Sequence, residues 1–355
     1  MTTTPDVVSH PAPSRSSRRR SRRRRRARMK ALVTVGVLVA MLVAVVGGAA
    51  VLVQQVVGKN LTTIPVSEAF PDEKGRPAPV GGAQNILLLG SDSRVESDAR
   101  DLLAKGAQRS DVMMLVHVPA DGSHVSIMSI MRDLWLPVPG HGEAKVNAAL
   151  AWGGTALSIQ TVETFLGARI DHVAIIDFEG LSDMTTALGG VPVDNRAPFT
   201  TTNPELGGPF FFPGGPVSLE GEKALAFVRE RKAFATGDYQ RVANQQALLR
   251  GILDRAISRD VLADPQALTA FASETSKNLT VDAGFTLPRI ASLAYSLRGL
   301  DSSGFSFFTV PTGGTGTSPD GQSIVTVDPE ATERLRQALR TDTVRDFERS
   351  LVRAK

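Results

Sequence analysis

"DVMMLVHVPADGSHVSIMSIM" (Asp111–Met131) holds two apolar runs, Asp111–Val118 and His124–Met131, separated by Pro119–Ser123 with its Asp-Gly pair. Apolar runs flanking such a turn predict two antiparallel neighbouring strands. Upstream, "NILLLG" (Asn85–Gly90) is a third short strand-type run closed by glycine. Downstream, Thr155–Gly167 has helical spacing and a glycine stop, and His172–Phe178 reads as a strand. "LSDMTTALGG" (Leu181–Gly190) reads as a helix and "ALAFVR" (Ala224–Arg229) as a strand. Tyr239 to about Arg259 predicts an amphipathic helix with Val242, Leu249, Ile252, Leu253 and Ile257 on its apolar side. A polar helix pair is expected over 265–300. Strands follow at Phe305–Pro311 and Ser323–Asp328, then a helix that opens with Pro329. Strands and helices alternate to the end, which predicts one α/β domain.

The basic character of the chain is local. Residues 1–30 contain eleven Arg or Lys and one acid, whereas the rest contains 29 basic and 35 acidic residues. "ALVTVGVLVAMLVAVVGGAAVLV" (Ala31–Val53) follows, 23 residues without a charge. At ~1.5 Å per residue it would extend roughly 35 Å, enough to cross a bilayer with some tilt. The positive-inside bias makes residues 1–30 a cytoplasmic tail, 31–53 a single transmembrane helix and the remainder extracellular. "GGAA" (Gly47–Ala50) resembles a signal-peptide cleavage site, but the long tail and long apolar run favour an uncleaved anchor. The same context argues against a nucleic-acid partner for the arginines. Residues 54–83, with Pro65, Pro71, Pro77, Pro79, Gly81 and Gly82, read as an extracellular linker. The folded domain is expected at 84–345, and 346–355 as a C-terminal tail. The chain has no cysteine, which excludes disulfides and thiolate metal sites.

Two strand reversals would gather charge at one end of the sheet. Asp92 follows the first strand, Arg109 and Asp111 open the second, and Arg132 and Asp133 follow the third. Two carboxylates without thiol or imidazole company suit a hard cation such as Mg²⁺. Arginines grip phosphate oxygens bidentately, and with a divalent cation they stabilise charge on a transferring phosphate. Each of these residues taken alone also suits a helix cap or a surface ion pair. "TGGTGT" (Thr312–Thr317) lacks the Gly-Lys-Ser/Thr ending of a phosphate loop and reads as a surface loop. The five histidines show no metal-ligand spacing, and Ser91 and Ser93 have no His–acid pattern beside them.

"FVRERKAFATGDYQRVANQQ" (Phe227–Gln246) is a second concentration of polar groups. Read as a strand end, "FVRER" projects Arg229 and Arg231 to one side, with Glu230 and Lys232 peripheral. Asp238 suits a helix N-cap as well as a site role. On the helix after it, Arg241 and Gln245 share a face near the positive end of the dipole.

In order, "NILLLGSDSR", "RSDVMMLVHV", "SIMRDLWLPVPG", "KVNAALAWGG" and "FVRERK…GDYQRVANQQ" resemble the LytR-CpsA-Psr family of bacterial envelope proteins. The resemblance covers roughly Asn85–Leu253. It implies an α/β/α sandwich with a central mixed sheet and an apolar lipid pocket. It also implies a membrane-anchored phosphotransferase that moves a glycopolymer from a polyprenyl-pyrophosphate carrier onto peptidoglycan. Teichoic acid, capsule and arabinogalactan are the family's typical polymers. By motif, Asp92 and Asp111 correspond to Mg²⁺-associated carboxylates. Arg109, Arg132, Arg229 and Arg231 correspond to pyrophosphate-binding arginines, and Arg241 and Gln245 to further head-group contacts. Lys145 and Asn147 match the motif that usually follows and, with Arg109, Arg241 and Gln245, are expected to bind substrate. Asp133 is expected to orient Arg132 or support the loop, and Asp92 is assigned as general base. Asn244 departs from the family, which commonly has Arg there. A lipid-pyrophosphate hydrolase and a non-catalytic envelope sensor or regulator are the competing functions.

Overall fold

Gly122 takes φ +61° and donates its N–H to Pro119 O, so the Asp-Gly turn reverses the chain as its sequence predicts. The computed structural model describes residues 57–91, 112–202 and 208–353. All belong to one unit, Val53–Lys355. In chain order the elements are β1 (Thr62–Ile64), α1 (Val66–Ala69), β2 (Gln84–Ser91), β3 (Val112–Val118), β4 (Val125–Ser129), β5 (Trp135–Val138), β6 (Gly142–Lys145), α2 (Ala148–Leu166), β7 (His172–Asp177), α3 (Phe178–Ala187) and β8 (Val191–Asn195). There follow β9 (Phe199–Thr200), β10 (Phe211–Phe212), β11 (Gly215–Leu219), α4 (Gly221–Arg229), α5 (Asp238–Ala256), α6 (Arg259–Ala263), α7 (Pro265–Lys277) and β12 (Leu279–Asp282). The last are α8 (Leu287–Ser296), β13 (Phe305–Thr309), β14 (Thr312–Thr317), β15 (Ser323–Val327), α9 (Pro329–Arg340) and α10 (Val344–Arg353).

The central sheet has seven strands in the order β1-β12-β7-β2-β3-β4-β13. β2, β3 and β4 are antiparallel neighbours, whereas β7 runs parallel to β2 and β13 parallel to β4. The sheet is therefore mixed, and side-chain alternation splits its apolar residues between two layers. Leu87, Leu89, Met113, Leu115 and Met128 pack against Ile159 and Phe165 of α2, Leu335 of α9 and Phe347 of α10. Val112 and Met114 face the other way, toward Leu181 of α3, Phe227 of α4 and Leu248 and Ile252 of α5. Helices thus cover both faces of the sheet.

Several expectations are corrected. Ala224–Arg229 is helix α4, not a strand, because Ala224, Phe227 and Val228 bury one face at helical spacing. Between α7 and α8 lies β12, which was not anticipated in a stretch read as two helices; it pairs with both β1 and β7. Asp282, at its end, accepts from His172 Nδ1 (3.1 Å) and Val173 N (3.0 Å), so its acid is consumed inside the sheet. Thr312–Thr317 is strand β14, paired with β15. A Cβ at Gly313 would stand 2.8 Å from Thr326 Oγ1 and 2.9 Å from Val327 O, so the glycine permits the approach of the two strands.

The folded body is also wider than 84–345. β1 lies in the central sheet, and Arg76 donates from Nη2 to Glu163 Oε1 (2.7 Å) and Ile170 O (2.6 Å), so much of 54–83 is part of the domain. α10 buries Val344 and Phe347, so residues 346–353 are helix and not a loose tail. Among the described residues no helix is long and apolar enough to cross a membrane; the expected span Ala31–Val53 lies outside them.

Helix α5 packs so tightly on β8 that a Cβ at Gly251 would lie 2.6 Å from Pro192 O. Overpacking of this kind costs about 1–3 kcal/mol, against the ~1 kcal/mol that alanine contributes over glycine inside a helix. Gly251→Ala is expected to lower the urea midpoint of unfolding. A raised midpoint would show that the contact is soft.

Candidate active site

Gly90 pairs with Val112 and Met114 with Ser129, so the end of β2, the start of β3 and the segment after β4 share one edge of the sheet. The strand reversals expected from the sequence are present, and Arg132 and Asp133 follow β4 at this end. Asp92, Arg109 and Asp111 lie outside the described residues.

The residues after β4 are held in place by backbone bonds. Asn147 N donates to Arg132 O (3.2 Å), Val146 N to Leu134 O (2.8 Å) and Val325 N to Asp133 O (2.9 Å). Asn147 is buried at the N-cap position of α2. Side chains then form an array of alternating charge. Lys145 Nζ lies 3.3 Å from Asp133 Oδ1, and Asp133 Oδ2 lies 3.6 Å from Arg132 Nε. Arg132 Nε is 3.5 Å from Asp238 Oδ1, which lies 2.7 Å from Arg241 Nη2. Asp133 thus lies between Arg132 and Lys145, while its backbone O holds the loop through Val325 N. Three cations face two carboxylates, so the array keeps an excess of positive charge.

Asp238 is not the N-cap of α5. Gly237 occupies that position with φ +49°, and Asp238 is the first helical residue, its carboxylate turned to Arg132 and Arg241. The expected pairing of Arg229 and Arg231 on one strand face also fails. Arg229 ends α4 and is half-buried; Arg231 lies beyond the helix and is exposed.

What shapes that turn is Glu230, which the sequence suggested was peripheral. It is 1% exposed and accepts backbone N–H bonds from Thr202 (2.6 Å), Arg231 (2.9 Å), Lys232 (2.7 Å) and Ala233 (3.1 Å). Burial works to raise its pKa, but these donors outweigh burial and hold it below the usual carboxylate range. The carboxylate fixes the segment that carries both arginines. Had α4 been recognised, an acid just past its C-terminus would have pointed to this clip.

Asn244 is buried, and its Nδ2 donates to Phe227 O (3.1 Å), tying α5 to α4. Arg241 and Gln245 are both buried on α5, but they face different surroundings. Arg241 joins the charged array. Gln245 lines an apolar cavity of about 30 Å³ with Leu88, Val112, Ile176, Val228 and Leu248. Its Nε2 is buried and makes no hydrogen bond among the described residues.

Among the described residues no three His, Asp or Glu side chains gather as a metal site. Asp133 and Asp238 are engaged by Lys145, Arg132 and Arg241. Asp92 and Asp111, the carboxylates expected to associate with Mg²⁺, lie outside the described residues. His117 and His124 sit at the far end of the sheet, bonded to Asn85 and Ser306.

This geometry has relatives. The chain is 30% identical over 288 residues to the cell wall biosynthesis protein LcpA of Corynebacterium glutamicum, covering 70% of this chain and 54% of that one. It is 34% identical over 207 residues to a polyisoprenyl-teichoic acid–peptidoglycan teichoic acid transferase, TagU, of Bacillus mycoides, covering 58% of this chain and 63% of that one. The chain thus spans between half and two thirds of the length of these two relatives. The crystal structure of B. subtilis TagV superposes with a TM-score of 0.60 at 26% identity, over 74% of this chain and 97% of that one. The model of the LytR_cpsA_psr family matches residues 58–341, and the chain belongs to that family.

Proposed function

We propose that the protein is a membrane-anchored phosphotransferase that moves a glycopolymer from a polyprenyl-pyrophosphate carrier onto peptidoglycan. The observation that carries this reading is the array Lys145–Asp133–Arg132–Asp238–Arg241, set at the sheet edge beside an apolar cavity. A pyrophosphate is an anion attached to a lipid. It calls for forked cations beside apolar surface, and this edge offers both. The tail Arg15–Lys30 and the run Ala31–Val53 would fix the domain on the outer side of the membrane.

In this scheme a sugar hydroxyl of peptidoglycan attacks the phosphorus nearer the polymer. A new P–O bond forms, the bridging P–O bond of the pyrophosphate breaks, and polyprenyl phosphate leaves. Asp92 would take the hydroxyl proton. Arg132 and Arg241, with Arg109, Arg229 and Arg231, would bind the phosphoryl oxygens and stabilise the charge that develops on them. Lys145 and Asn147 would hold the Arg132 segment, and Gln245 would stand where head group meets lipid. Asp92 and Asp111 would hold Mg²⁺, which supplies further neutralisation of the pyrophosphate when bound. The cavity beside Gln245 has room for about one water. A polyprenyl chain would therefore enter by spreading α3–α5 from the sheet.

The test is incubation of the full-length chain with lipid-linked glycan and peptidoglycan. Glycan attached to peptidoglycan through a phosphodiester is the expected product. Phosphate release without attachment would instead establish a hydrolase.

A further inference from the structure

β5 and β6 form a two-stranded ribbon in which Trp135 lies opposite Lys145 and Pro137 opposite Glu143. Period-2 alternation places these four on one face, while Leu136 and Ala144 are buried on the other. The ribbon face that carries Lys145 into the charged array thus continues along Trp135 and Glu143. There it becomes one wall of a groove of about 410 Å³. Phe165 of α2, Thr326 of β15 and Thr332 and Arg336 of α9 also line it.

The lining has a particular chemistry. Trp135 is half-buried, and its Nε1–H donates to Glu143 Oε2 (3.1 Å), which fixes the indole plane. Arg336 Nε donates to Phe165 O (2.7 Å), which holds the partly exposed guanidinium at the lining. An oriented aromatic face with a carboxylate and a guanidinium around it suits a ligand with apolar faces and a hydroxyl edge. That description is a saccharide ring. The groove volume falls within the range of ordinary ligand sites.

Position decides which saccharide. Leu136 and Phe165 of the groove belong to the core on the α2 and α9 face of the sheet. Leu181, Val228 and Leu248 of the apolar cavity belong to the α3–α5 face. A donor whose lipid enters by that cavity reaches the charged array from one side, and the groove opens on the other. We infer that the groove between the β5–β6 ribbon and α9 is a saccharide subsite for the acceptor glycan strand, with Trp135 as its stacking platform. This rests on the transferase reading for the word acceptor, but not for the binding itself.

Binding can be measured without transfer. The chain has two tryptophans, so Trp152→Phe leaves Trp135 as the sole indole. Titrating full-length W152F with an N-acetylglucosamine tetramer is expected to give saturable change in tryptophan emission. Arg336→Gln in that background removes the guanidinium at the lining and is expected to weaken binding about fivefold, the loss of one hydrogen bond. Trp135→Leu should raise the half-saturating concentration of peptidoglycan about tenfold, the upper range for an aromatic contact, with that of the lipid-linked donor unchanged. Absence of saturable binding, or equal affinity in Arg336→Gln, overturns the subsite even if transfer occurs. A Trp135→Leu effect on the donor alone overturns its assignment to the acceptor. Tetramer binding by a chain that yields no transfer product leaves the subsite standing and sinks the transferase reading.

Discussion

Arg132→Ala is expected to lower the rate of glycan transfer by roughly 10²–10³, the usual effect of removing one donor aimed at developing transition-state charge. Its ion pairs are long, at 3.5 Å to Asp238 and 3.6 Å to Asp133, and its side chain is partly exposed. Removing Arg132 leaves neither carboxylate uncompensated, since Lys145 stays at Asp133 and Arg241 at Asp238. The variant should therefore remain folded, with a urea midpoint close to the parent's. Arg132→Lys should recover only a small part of the rate, since an ammonium lacks the fork that spans two phosphoryl oxygens. Arg334→Ala, which removes an exposed pair with Glu330 on α9, is the matched charge control and should leave transfer unchanged. If Arg132→Ala transfers glycan at the parental rate, the array is not the phosphate site. A midpoint far below the parent's would mean that its role is structural.

The extent to which this site was legible in sequence follows the physics of each segment. The β3–β4 hairpin was legible because an Asp-Gly turn between two apolar runs has few other solutions. Its consequence, the shared edge for the residues after β2 and β4, followed from strand direction alone. α4 was not legible. Six residues of mostly apolar character fit either period, and only the packing of Phe227 against Phe199 and Phe212 fixes the helix. That misreading hid Glu230, whose role exists only at a helix end. β12 escaped because it is four residues long and takes its stability from two neighbours distant in the chain. Likewise no local pattern foretells that Arg76, in a Pro- and Gly-rich stretch, will meet Glu163 and Ile170 O. Asp238 shows the limit of motif reasoning. Its position at a helix start was right in sequence, but one residue of shift turned a cap into the bridge between Arg132 and Arg241.

Glu230→Ala carries the largest expected loss of stability. It removes the acceptor of four backbone N–H groups at 2.6–3.1 Å, together with the Thr202 hydroxyl. Water can reach some of these donors once the side chain is gone, so the cost is set at about 3 kcal/mol and not at the sum of four buried losses. Glu230→Gln keeps one carbonyl acceptor and should cost roughly half as much. Transfer should fall in both, because the clip positions Arg229 and Arg231. The charge gives a separate signature in pH. Burial opposes ionisation of Glu230, but its backbone donors prevail and its folded pKa lies below the unfolded one. The unfolded state therefore binds the proton first as pH falls. The stabilisation is complete above the unfolded value of about 4.3 and is lost as pH drops through the folded value. His117 adds its own acid sensitivity. Burial lowers its pKa despite the nearby Asp342, so its contribution is full above the unfolded value of about 6.5 and begins to fade below it. Subtracting Glu230→Gln from the parent at each pH cancels that part. Denaturant unfolding between pH 7 and pH 3.5 should show a parent–variant gap that is constant down to about pH 5 and then narrows. A gap that holds its size to pH 3.5 would mean that the ionised carboxylate is not what holds the turn between α4 and α5.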